Sequence, residues 1–184
     1  MLGGEAGPSP LRVFFQDESR LGLHLPQPRR LTARGVKPLQ PYAPLYESYW
    51  LYAAVEPATG DAFWLEMPTL DRRCFQTFLE HFSRHYPDSL NVLILDNAPA
   101  HTARSLVLPD NVSLWGLPPY CPELNPVERL WQDLKYRIDV FDQPVRTSLT
   151  GLREHVAELI NAYTTEQLRS LTGYPYIQQA INAL

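Results

Sequence analysis

At 184 residues, 45% hydrophobic and with a net charge of −4, the chain has the size of one domain and enough apolar content for a core. No stretch approaches the roughly 20 apolar residues of a membrane span, and the start, MLGGEAGPSP, lacks the basic-then-apolar order of a signal peptide. Cys74 and Cys121 make neither a disulfide framework nor a zinc pattern, so a cytoplasmic protein is expected.

Residues 1–10 read as a disordered tail, and 11–184 as a single domain. The apolar run 11–17 predicts a buried strand, with 20–25 as its partner and Glu18 and Ser19 in the turn between them. The stretch 26–48 carries Pro26, Pro28, Pro38, Pro41 and Pro44 and predicts a long excursion with little regular structure. No acidic residue occurs from Ser19 to Tyr46, whereas Arg20, Arg29, Arg30, Arg34 and Lys37 do. That segment is either a solvated loop face or an edge that contacts phosphates.

Residues 49–55 and 62–67 predict a hairpin around the turn at Pro57 to Gly60. Asp71 can cap a helix running to about His85, with Phe75, Phe78, Leu79, Phe82 and Tyr86 as one apolar stripe. His81 and His85 have zinc-binding spacing on that helix, but no third ligand is evident and the stripe reads as core. A short buried strand follows at 91–95, then a loop or helical turn from Asn97 to Arg104, then a strand at 112–115. Trp115, Pro118, Pro119 and Tyr120 form a stiff loop, read first as core packing and second as a lip that contacts a strand.

Asn125 reads as a helix cap, and Pro126 sits at the first position, where a missing N–H costs nothing. Val127, Leu130, Trp131, Leu134 and Ile138 then give the buried face. A further helix is expected over 148–162, and the tail 165–184 as helical in two pieces. The order of elements predicts an α/β architecture, a mixed sheet with helices packed on it.

Three acids stand out. Asp17 and Asp96 end apolar runs, and Glu128 lies in the first turn of a helix. Taken singly, a strand-end Asp is a turn residue and a first-turn Glu serves the helix dipole. Brought together, three carboxylates suit a two-metal phosphoryl-transfer site, because hard cations take oxygen ligands and a few suffice. Adjacent parallel strands ending at one sheet edge would place Asp17 beside Asp96, and the helix start would add Glu128.

The blocks FFQDESRLGLH (14–24), LILDNAPAHTAR (93–104) and LPPYCPELNPVERLW (117–131) resemble the DDE-superfamily transposases of bacterial insertion sequences, in their mariner-like branch. The resemblance implies an RNase H-like fold in which Asp17, Asp96 and Glu128 bind two Mg²⁺ or Mn²⁺ ions. It further implies DNA cleavage at transposon ends, followed by attack of the freed 3′-hydroxyl on target DNA. Glu18, Asn97, His101 and Asn125 are second-tier candidates. Glu18 points to the opposite side of its strand from Asp17, Asn97 caps the following turn, His101 holds the loop or approaches the phosphate, and Asn125 aims Glu128. Arg20, Arg29, Arg30, Arg34 and Lys37 are candidates for DNA contact, whereas Arg129 and Lys135 read first as solvent-exposed and second as leaning toward DNA.

Three departures from the family pattern accompany the resemblance. Cys121 stands where Ser is common, the spacing from Asp96 to Glu128 is short, and only sixteen residues precede Asp17, too few for the helix-turn-helix domain that usually comes first. Recognition of the ends would then fall to a separate chain, and joint processing of two ends implies a homodimer. The alternatives are an inactive remnant that only binds DNA or a partner subunit, and an RNase H-like nuclease with another substrate.

Overall fold

The computed structural model describes residues 9–23, 33–35, 46–103, 105–119, 121–141 and 148–183. The expected tail at 1–8, most of the excursion at 26–48, and Arg29, Arg30, Lys37, Arg104 and Tyr120 lie outside the described residues.

Five strands form one sheet in the order β3-β2-β1-β4-β5, where β1 is Leu11–Gly22, β2 Ser48–Val55, β3 Ala62–Met67, β4 Leu90–Leu95 and β5 Val112–Gly116. The first three strands form an antiparallel meander, and β4 and β5 run parallel to β1. The sheet is therefore mixed, as the order of elements predicted.

β1 differs from its expected form. There is no turn at Glu18 and Ser19: the strand runs through them unbroken to Gly22, and its partner is β2, register Phe15↔Val55 to Gly22↔Ser48. The polar pair looks like a turn by composition, but the long-range ladder with β2 satisfies its backbone and overrides that local preference.

Alternation along β1 sends successive side chains to opposite faces. Phe14, with Tyr52, Ala54, Leu93 and Leu95, packs against α1 (Arg72–His85), whose Phe75, Phe78 and Phe82 are fully buried. Each such phenylalanine contributes about 1.5–3 kcal/mol of burial. Asp71 caps α1 as expected, accepting from the backbone N–H of Arg73 and of Cys74. Phe15, Leu21, Leu51, Ala53 and Val55 face the other way, onto Val127, Leu130, Trp131 and Leu134 of α2 (Val127–Phe141).

The layer on the α2 side is completed by α3 (Leu149–Asn161), α4 (Thr165–Thr172) and α5 (Pro175–Ile181), which contribute Leu152, Val156, Leu168 and Ile177. No helix among the described residues is long and apolar enough to cross a membrane. Cys74 and Cys121 are both free thiols.

Candidate functional site

The parallel pairing of β1 and β4 brings two acids to the same level of the sheet, one within β1 and one at the exit of β4. β1 and β4 pair in parallel with Phe15 opposite Ile94. Two residues further on, one strand reaches Asp17 and the other Asp96. Asp17, Asp96 and Glu128 line one cleft of about 420 Å³, together with Asn97, Pro118, Pro119, Cys121 and Asn125. The cleft takes one strand, one strand exit, one proline-stiffened loop and one helix start, so long-range topology creates it.

Asn125 ties the helix start to the sheet. Its Oδ1 accepts from the Val127 N–H at 3.2 Å, and its Nδ2 donates to the Gln16 carbonyl at 2.9 Å, one residue before Asp17. The cap expected of Asn125 is therefore also a clamp between α2 and β1, and it fixes the side of the cleft on which Glu128 stands.

Asp17 is half-buried, and its Oδ2 accepts from Trp131 Nε1–H at 2.9 Å. Its carboxyl pKa is pushed up to about 7, first by burial and then by the negative charges of Glu128 and Glu18, against the opposing pull of the Trp131 bond. Sequence reasoning had given Trp131 a packing role only. A helix position that faces the core reads the same whether or not its ring N–H is used.

Asp96 is held from the other side. Its Oδ1 accepts from the Ala98 N–H at 2.9 Å and lies 2.8 Å from His101 Nδ1. His101 Nε2 lies 2.9 Å from Glu18 Oε1, and both side chains are buried, 2% and 5% exposed. Glu18 does point away from Asp17, as β1 alternation requires, and there it meets His101 rather than solvent. Burial works against a charged imidazole, but the two carboxylates outweigh it and raise the His101 pKa above its ordinary value. Phe75 packs on the ring at 4.4 Å between centroids.

Other expected residues fall differently. Asn97 does not cap the turn after β4, because Asp96 does. Asn97 Nδ2 instead donates to the Leu117 carbonyl at 2.6 Å, joining the exits of β4 and β5. Trp115 is 47% exposed and so is not core, while Pro118 and Pro119 line the cleft. Arg20 is exposed and donates to Ser48 Oγ, and Arg34 is exposed beside Gly35 in a turn. His85 packs against Phe63 and Tyr86, and no zinc cluster forms around it among the described residues.

An all-oxygen donor set suits a hard divalent cation, and Glu128 and Glu18 add negative charge beside an Asp17 carboxyl that burial already raises. Among the described residues, no three of His, Cys, Asp and Glu already stand in ligating positions. Asp96 Oδ1 is engaged by Ala98 and His101, and Asp17 Oδ2 by Trp131. The donor set therefore suits a divalent cation in kind, and holding one would require the side chains to adjust.

Comparison with solved structures supports the fold. The Mos1 transposase paired-end complex with left transposon end superposes with a TM-score of 0.65 at 18% identity, covering 88% of this chain and 51% of that one. The Mos1 mariner paired end complex with Mn gives a TM-score of 0.68 at 17% identity, covering 88% and 52%. The architecture is thus the RNase H-like mixed sheet flanked by helices. In sequence, the uncharacterized protein y4pE/y4sA of Sinorhizobium fredii (strain NBRC 101917 / NGR234) is 40% identical over 87 residues, which is 47% of this chain and 64% of that protein. The chain spans about half the length of the transposase chains it superposes on. The profile of the DDE superfamily endonucleases matches residues 12–148, a span that holds all three cleft carboxylates, and this chain belongs to that family.

Proposed function

We propose that this chain is the catalytic part of a transposase, which cuts DNA strands at transposon ends and joins the freed 3′-hydroxyl to target DNA. The observation that carries the reading is that Asp17, Asp96 and Glu128 line one cleft in a DDE-superfamily endonuclease. In this reading those three residues hold two divalent cations, Mg²⁺ or Mn²⁺. When bound, such a pair supplies activation of the attacking oxygen and stabilisation of the leaving one.

The chain's own residues do the rest. Trp131 holds one oxygen of Asp17, so the carboxylate presents one orientation. His101 and the Ala98 N–H do the same for Asp96, and Glu18 fixes the His101 ring from the far side. Asn125 clamps the start of α2, which sets the approach of Glu128. With a carboxyl near 7, Asp17 must give up its proton before it can ligate. The partners in this reading are transposon-end and target DNA, a second copy of the chain in a synaptic complex, and a helix-turn-helix region supplied by another segment or chain. Arg20, Arg34 and the basic stretch around them would contact phosphates, and the protein would act in the cytoplasm.

The test is cleavage of a labelled duplex carrying the element's own ends, in Mg²⁺, in Mn²⁺ and in EDTA, with wild type and Glu128→Gln. Metal-dependent cutting that disappears in the variant is expected. No cutting, but Mn²⁺ binding that weakens in Glu128→Gln, would locate the metal site and assign recognition of the ends to a separate region. Neither cutting nor metal binding would overturn the reading in favour of an inert remnant.

A further inference from the structure

On the other side of Glu128 lies a second groove of about 520 Å³. Pro122, Asn125 and Glu128 line both hollows, so the groove continues the cleft past the helix start. Its far wall is Tyr174 and Tyr176, at the entrance to α5. The two rings are parallel, 2° apart in plane and 5.7 Å between centroids. Arg129 brings its guanidinium carbon to 5.8 Å from the Tyr174 ring. Tyr176 is 48% exposed although it is a large aromatic.

These rings are fixed in place. Tyr176 donates its hydroxyl to the Glu123 carbonyl at 3.2 Å, in the loop that precedes α2. Ile177 is buried in the core, and Gln178 Nε2 donates to the Pro57 carbonyl at 2.8 Å. The pair is thus a rigid, wet aromatic surface beside the candidate active site. The two tyrosines lie beyond the family match, which ends at residue 148.

The charge of the groove restricts its occupant. Among the described residues Arg129 is its one cation, set against Glu123 and Glu128. A phosphate backbone gains little there, whereas a base gains a π-face from tyrosine and a cation–π contact from Arg129. Inside a duplex both faces of a base are already stacked, so only an unpaired base offers one.

We propose that Tyr174 and Tyr176, with Arg129, form a stacking platform for an unpaired base of the DNA strand whose scissile phosphate lies at Glu128. This rests on the nuclease reading above and adds to it that the strand is frayed or single-stranded next to the cut.

The experiment places 2-aminopurine in a single-stranded overhang of an end duplex and follows its fluorescence and its affinity for the protein. Wild type is expected to quench the probe. Tyr174→Ala with Tyr176→Ala should lose the quench and weaken overhang binding about tenfold, with blunt-duplex binding unchanged. Tyr174→Phe with Tyr176→Phe keeps both rings and loses only the Tyr176 hydroxyl bond, so it should keep the quench and most of the overhang affinity. Tyr174→Leu with Tyr176→Leu keeps apolar bulk without a ring and should behave as the alanine pair, which separates loss of stacking from loss of folding. Overhang binding and quenching unaffected by the leucine pair would overturn the platform. If that happened while cutting still depended on Glu128, the nuclease reading would stand alone. Tyrosine-dependent quenching in a protein that cuts nothing under any metal would keep the platform and sink the nuclease reading.

Discussion

Asp17 and Asp96 lie at the same level on neighbouring parallel strands, Asp17 within β1 and Asp96 just past the end of β4, yet their surroundings are opposite. Asp17 is packed against α2, with a tryptophan N–H on one oxygen, and burial first, then the charges of Glu128 and Glu18, push its pKa up to about 7. Asp96 is 62% exposed, beyond the end of its strand, and is steadied by a backbone N–H and a buried histidine. One acid is constrained by packing and loaded with electrostatic cost. The other is exposed and constrained by hydrogen bonds. A site built this way can keep its geometry through Asp96 while Asp17 supplies the unrelieved negative charge that favours a cation.

The largest effect that separates the two comes from Asp17→Asn and Asp96→Asn. Both should lose about a thousandfold in cleavage, the scale of several kcal/mol of transition-state stabilisation. Their stabilities without metal should diverge. A carboxyl raised from 3.8 to about 7 binds its proton more tightly in the folded state. Its contribution to stability is therefore full below about pH 4 and declines as pH rises toward 7. Asp17→Asn has no proton to lose, so in EDTA it should gain on wild type across that window, by an amount on the order of a few kcal/mol at most. Thermal melts at pH 4, 5.5 and 7 check this, and parallel curves for wild type and Asp17→Asn would remove the electrostatic half of the comparison.

A smaller effect tests the supports. Trp131→Phe keeps the ring in the core but deletes the donor to Asp17, and Glu18→Ala leaves His101 Nε2 without its carboxylate. Loss of such a supporting partner costs about 10–100-fold in metal affinity or activity. Trp131→Phe should fall at the low end, because packing survives. Glu18→Ala should fall higher, because a buried polar atom is orphaned. Glu18→Gln should recover much of the loss, since its amide oxygen can still accept from the imidazole. The readout is the Mn²⁺ concentration that gives half-maximal cleavage. An unchanged midpoint in Glu18→Ala would reduce the Glu18–His101 pair to a purely structural contact.

What could be read from the sequence follows the same division. Asp17, Asp96 and Glu128 were visible because an apolar run stopping at a carboxylate is a local pattern, as is a capped helix start. The helices α1 to α3 are visible through caps or a 3.6-residue period, and α4 and α5 only as a tail helical in two pieces. Contacts decided at long range were not visible. Glu18 and Ser19 look like a turn until β2 pairs across them. Trp131 looks like core, because its position on the apolar face is the same whether or not its N–H finds Asp17. Asn97 looks like a turn cap, but Asp96 takes that bond and frees Asn97 to reach Leu117. Nothing local marks Tyr174 and Tyr176 as neighbours of Glu128, 46 and 48 residues earlier in the chain.

The smallest effect concerns the loop rather than the acids. A Cβ at Gly116 would come 2.6 Å from Asn97 Oδ1, too close for any side chain. The atom in the way is the end of a movable side chain, so Gly116→Ala should turn Asn97 aside and break its bond to the Leu117 carbonyl. The cost is about one hydrogen bond, roughly 1 kcal/mol, read from urea unfolding. Asn97→Ala removes the same bond and should cost about the same. Because both changes remove one interaction, the double variant should be hardly less stable than either single one. Fully additive losses would mean that Gly116 is required by the backbone rather than by Asn97, and the tie between the exits of β4 and β5 would then lie elsewhere.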